Sequence, residues 1–293
     1  MCQPSTTNPS KDSSNEETYG DLRWKLTEEE KEAVRQLKEA ADNEGIYFQN
    51  LFELAKYALV VRSLEKDDEK RLEVALRRLR NRHEWMNHHV LWSVDKVAAH
   101  AEIGDRACPA HFVQRFERDI AHDRTVVALH MAHSPLHYIE KSPENYSKYL
   151  AAAMYRMDLG AVDMEEARRG MVLAAISEGQ LTFGRGWKYM KFMKKISGDM
   201  KDMHPHMVKA VHAEFPSLVA HMLPAVKRVL PQKVADRLHV YSSIKDMSKN
   251  LERFNEETSS DDDDEEIDDM TAEEWARRRE EKYQETVTKL SLD

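Results

Sequence analysis

Residues 187–241 read WKYMKFMKKISGDMKDMHPHMVKAVHAEFPSLVAHMLPAVKRVLPQKVADRLHVY, and their pattern decides the fold class. Trp187, Met190, Ile196 and Met200 recur at near-helical spacing, with Lys188, Lys191, Lys194, Lys195 and Lys201 between them. That is an amphipathic helix with a basic edge. His204-Pro205 ends it, because proline disfavours helical geometry in the residue before it. Met207–Val208 and Ala210–Val211 then supply one strand. A second apolar helix follows from about Pro216, Pro231 opens one more helical turn, and Leu238-His239-Val240-Tyr241 forms another strand. Helical crossovers between successive strands imply parallel pairing.

Outward from this stretch, the same alternation continues. Thr125-Val126-Val127-Ala128-Leu129 and Met171–Ile176 are β-branched or apolar runs of strand length, separated by a helix that Ser142-Pro143 opens. Four strands alternating with helices argue for an α/β fold with a mainly parallel sheet. Towards the N-terminus the pattern is all helical: Thr27-Glu28-Glu29-Glu30 is a capping box. Leu51, Leu54, Ala55, Ala58 and Leu59 mark one buried face, and Leu72, Ala75, Leu76, Leu79 and Met86 another. Residues 1–25 are rich in Ser, Thr, Asn and Pro and read as disordered.

Charge is unevenly spread. The formal net charge is −9, yet residues 256–269, EETSSDDDDEEIDD, hold more negative charge than that total. The rest of the chain is therefore slightly basic, and the acidic run reads as a solvated interaction tail. Beyond it, Thr271-Ala272-Glu273-Glu274 caps a helix expected to be solvated throughout. Two cysteines, Cys2 and Cys108, exclude a disulfide framework and fit a reducing compartment. The first residues lack the cationic start and apolar core of a signal peptide, and no apolar stretch is long enough to span a bilayer. The expected setting is cytoplasmic, with any membrane contact peripheral and transient.

Catalytic signatures are absent. Gly179, Gly184 and Gly186 follow the Met171–Ile176 strand at the wrong spacing for a dinucleotide loop, and there is no Walker loop. His130-x-x-His133-x-x-x-His137 has no supporting cysteine or nearby carboxylate to make zinc ligation its reading. Ser217, Ser242 and Ser243 lack a nucleophile elbow. No cofactor, metal or nucleic-acid partner is called for, and the chain is expected not to be an enzyme. Fifteen methionines concentrate at Met154, Met157, Met171, Met190, Met193, Met200, Met203, Met207 and Met222. They serve equally as ordinary core or as the adaptable wall of an apolar cavity.

Three features resemble the CRAL-TRIO lipid-binding domain, in its tocopherol-transfer and retinaldehyde-binding branch. These are the His204-Pro205 step before a strand, the strand running through Phe215 into a proline-started apolar helix, and the closing segment 229–239, VLPQKVADRLH. An Arg-rich helix ending near Trp85 resembles that family's helical lead-in. Two family motifs differ here, reading Glu214-Phe215-Pro216 and Ser177-Glu178-Gly179. The resemblance implies a helical module over 26–105, a CRAL-TRIO-like domain over 106–254 and an acidic tail over 255–293. It implies a lipid pocket lined by Met171, Leu173, Phe215, Leu218, Val219, Met222, Leu223 and Val226, with 216–226 as its gate. It also implies that Lys194, Lys195, Lys233 and Arg237 form a groove for phosphoinositide headgroups or an anionic membrane. Read from the residues alone, those cations are as well explained as a solvated helix face. The expected activity is binding and intermembrane transfer of a small hydrophobic lipid. The alternative is a protein-interaction module that kept the fold and lost the cargo, with the acidic tail contacting a protein partner.

Overall fold

A computed structural model describes residues 23–88, 111–205, 207–215, 236–254 and 271–292. The first helices begin where local chemistry starts them. Helix α1 (Glu28–Asn43) opens with the capping box: Thr27 Oγ1 accepts from the Glu30 amide at 3.2 Å and Glu30 Oε2 accepts from the Thr27 amide at 2.9 Å. Asn50 caps α2 (Leu51–Leu64), and α3 (Asp68–His88) follows. Alpha-2 is apolar on nearly every side, and accordingly Phe52, Leu54, Ala55, Tyr57, Val60 and Val61 are all buried.

The sheet holds six strands among the described residues, in the order β5-β4-β3-β2-β1-β6. These are β1 (Phe116–Asp119), β2 (Arg124–His130), β3 (Met171–Ile176), β4 (Val208–Glu214), β5 (Leu238–Tyr241) and β6 (Leu251–Arg253). Strands β2 to β5 pair in parallel, with Leu173 of β3 opposite Val127 of β2 and Val211 of β4. They are the four strands read from the sequence. Strands β1 and β6 correct that count: they pair antiparallel at one edge. Short and largely charged (FERD and LER), they carry no apolar run to announce them.

Between the parallel strands run α4 (Leu136–Ile139), α5 (Pro143–Leu159) and α6 (Met164–Arg169) before β3, and α7 (Phe183–Lys201) before β4. Because β2 to β5 advance one position at a time in one direction, right-handed crossovers place their helices on one face. Residues of α5 and α7 accordingly share a core cluster on that face. Helix α7 ends at Lys201, ahead of Pro205, with Asp202 as its C-cap. Its buried stripe is Tyr189, Phe192, Ile196 and Met200. Gly170, with φ 74°, ends α6, and a side chain there would meet the Met207 carbonyl at 2.6 Å. After β5, the short α8 (Ile244–Met247) packs on β4 and β5.

The last helix, α9 (Ala272–Lys289), corrects the expectation of a solvated tail helix. Trp275, Ala276, Arg279, Tyr283, Thr286 and then Leu290 are buried along one stripe. The apolar ones join a cluster with α1, α2, α6 and Met171. Arg279 donates to Glu166 Oε1 at 3.0 Å and to the Leu159 carbonyl at 2.8 Å. A stripe containing Arg and Thr looks polar in sequence, yet it is buried because its partners are supplied by α5 and α6. The N-terminal helices therefore share one core with the sheet.

Candidate functional site: a partly open apolar sheet face

The two faces of the sheet differ. On one face Val126, Ala128, Val172, Ala174 and Ile176 are at most 2% exposed and pack with Phe116, Met247 and Leu251. On the other, which looks towards α5 and α7, Leu129, Leu173, Ala175, Val211 and Val240 remain only half-buried. Interior strands of a parallel sheet are normally covered on both sides. Leu173, Ala175 and Val211 sit in the interior strands β3 and β4, so their residual exposure marks apolar surface that the described helices do not close. Met154, Tyr149 and Leu150 of α5, and Phe192, Ile196 and Met200 of α7, border it.

Of the residues expected to line a lipid pocket, Met171 and Leu173 of β3 and Phe215 after β4 lie on this face. The alternation of the strands and the pairing of Leu173 with Val211 place them there. Met171 is fully packed, its Cε 2.8 Å from where a side chain on Gly160 would begin. Leu173 is half-buried and Phe215 is 5% exposed. Leu218, Val219, Met222, Leu223 and Val226 lie outside the described residues, as does Lys233.

Lys194 and Lys195 are exposed on α7, and the Lys195 ammonium lies 3.9 Å from the centre of the Tyr146 ring. Arg237 is exposed just before β5 and donates to the Val208 carbonyl at 3.0 Å. Its company is at the amino ends of the parallel strands. Arg124 opens β2, Arg169 precedes β3 and Lys209 lies in β4. Burial, then the charges of Arg124 and Arg237, hold the Lys209 ammonium below its ordinary pKa. Asp119, Asp123 and Glu165 offset part of this charge, pairing with Arg124 and Arg169. Sequence reading missed Arg124 and Lys209, although a cation at or just before each parallel strand was visible in the chain.

At the opposite, carboxyl ends of the strands, the two segments that depart from the CRAL-TRIO motifs meet. Glu214 Oε2 accepts from the Ser177 amide at 2.6 Å, the Ser177 hydroxyl at 2.9 Å and the Glu178 amide at 2.7 Å. It thereby fixes a turn in which Glu178 and Gly179 have φ of 49° and 70°. Glu178 in turn pairs with Arg115 and lies 3.2 Å from His130 Nε2. Among the described residues, no three His, Cys, Asp or Glu side chains converge as a metal-binding group.

No protein-family model matches the chain. No curated protein matches it either. Among solved structures it aligns with the crystal structure of Sfh5 at a TM-score of 0.48 and 10% identity, over 78% of this chain and 85% of that one. No residue role follows from that likeness.

Proposed function

We propose that this chain is a non-enzymatic lipid-binding protein of CRAL-TRIO type, which holds one hydrophobic molecule against the helix-facing side of its sheet. The carrying observation is the half-buried apolar row Leu129, Leu173, Ala175, Val211 and Val240 inside an otherwise close-packed α/β core. Covering such surface with a hydrocarbon contributes about 0.8 kcal/mol per methylene, so a long chain binds well without any charged group. The His204-Pro205 step and the segment 229–239 support the family reading. Among the described residues no helix is long and apolar enough to cross a membrane.

Exchange of the cargo would take place at anionic membranes. Lys194, Lys195 and Arg237 were the described candidates for that contact, and Lys209 and Arg124 extend the cationic group around Arg237. Clustered cations next to an apolar site attract anionic lipid surfaces. Transfer of a fluorescent lipid between vesicles tests the reading. The protein should accelerate transfer, more so with phosphatidylserine or phosphoinositide in the acceptor, and lose that preference when Lys194, Lys195, Lys209 and Arg237 become Glu. Transfer no faster than without protein would reject it.

A further inference from the structure

Tyr189 on α7 is 2% exposed, and its hydroxyl has no hydrogen-bond partner among the described residues. It lies in the cluster formed with Phe192, Ile196, Ala213, Phe215 and Leu238, against which the half-buried Leu129, Ala175, Val211 and Val240 pack. A buried hydroxyl left unpaired is costly, and native proteins satisfy nearly all such groups.

The polar pair His111 and Tyr149 does not supply the missing partner. The His111 ring centre is 6.2 Å from that of Tyr189, and both of its nitrogens are engaged. His111 Nδ1 lies 2.9 Å from the His130 carbonyl, which can only accept, so Nδ1 carries the proton. Nε2 is then the acceptor, and it takes the hydroxyl proton of Tyr149 at 2.9 Å. That chain is closed without Tyr189. Arg156 is also engaged, its guanidinium 5.8 Å and 6.0 Å from the rings of Phe112 and Trp275.

We propose that the Tyr189 hydroxyl is the polar anchor of the apolar site, donating a hydrogen bond to one uncharged oxygen on an otherwise hydrocarbon ligand. The ligand class is a long-chain or polycyclic alcohol, ketone or ester. Among these apolar side chains an uncharged oxygen costs far less to bury than a carboxylate or phosphate, which would need a counter-charge buried with it. The inference rests on the lipid-binding reading, and it adds the chemistry of the ligand's polar end.

Decylpyrene and its terminal alcohol, titrated by fluorescence into the full chain and into Tyr189→Phe, separate the two claims. The alcohol should bind the variant about tenfold more weakly than the wild type, the value of one desolvated hydrogen bond. The hydrocarbon should bind both equally. Equal behaviour of both probes in both proteins would overturn the anchor and leave the apolar site standing. Saturable binding of neither probe would overturn the site and the anchor with it. Ligand-free Tyr189→Phe should melt at or above the wild-type temperature. A clearly lower melting point would show that the hydroxyl has a partner within the fold, and would also overturn the proposal.

Discussion

Lys56 Nζ lies 2.7 Å from Asp158 Oδ1, and the pair joins α2 to the end of α5 deep in the helical layer. Around it, Arg82 Nε is 3.1 Å from Glu53 Oε1 and His204 Nε2 is 3.3 Å from Asp158 Oδ2. Arg78 donates to the His204 carbonyl and the Tyr57 hydroxyl to the Met203 carbonyl, both at 2.6 Å. These contacts tie the α7–β4 connection to α2 and α3. Burial raises the Asp158 carboxyl, but Lys56, His204 and Arg82 overcome it and hold its pKa well below the ordinary value.

Asp158→Asn leaves Lys56 buried without its counter-charge, while Arg82 keeps Glu53. It should cost about 3–5 kcal/mol in urea unfolding, the usual penalty for breaking a buried pair. Lys56→Met combined with Asp158→Asn should cost less than the two singles added together. Strict additivity would show that the pair is not coupled.

Stability should fall as pH drops from about 6.5 towards 4. Burial pushes His111, His204 and His212 down to about 4 from an ordinary 6.5, so in this window the unfolded chain binds protons that the folded one refuses. Each histidine contributes at most about 1.4 kcal/mol per pH unit. The loss is absent above 6.5, where both states are neutral, and Asp158 adds its own loss only below its ordinary 3.8. The urea midpoint should therefore be lower at pH 5 than at pH 7. An unchanged midpoint would contradict the burial of these rings.

Two glycines should respond in opposite directions to alanine. Gly170→Ala combines a φ of 74° with a 2.6 Å approach to the Met207 carbonyl, and should destabilise by about 2 kcal/mol or more. Gly184→Ala in α7 meets nothing within 4 Å and should stabilise by up to about 1 kcal/mol. Thermal unfolding of both variants is the check.

Charge reversal separates the amino-end cations from the α7 edge. Lys209→Glu with Arg237→Glu should weaken binding to phosphatidylserine vesicles by about fivefold or more per residue, at about 1 kcal/mol for each basic side chain near an anionic surface. If only Lys194→Glu with Lys195→Glu does so, the contact lies on α7 alone.

The parallel strands β2 and β3 were legible as nearly continuous apolar runs, as burial on both faces demands, and β4 and β5 as interrupted apolar runs set between helix signals. The strand FERD at β1 and the burial of the helix carrying Arg279 were not. Their burial depends on partners far along the chain, Glu166 for Arg279 and Leu251 for Asp119. Of the residues that the resemblance implied for a pocket, Met171, Leu173 and Phe215 share one face of the sheet, but nothing in the sequence distinguishes Met171, which is packed solid, from Leu173, which stays half open. Tyr189 was passed over inside a lysine-rich stretch, since an unpaired hydroxyl has no sequence signature.

The mass of the protein held under native, non-denaturing conditions tests the central claim most directly. The account predicts a species heavier by one lipid molecule, lost on denaturation, and absent from a Val211→Trp variant that keeps its secondary structure. A wild-type protein that stays at its sequence mass after incubation with mixed lipid vesicles would contradict it.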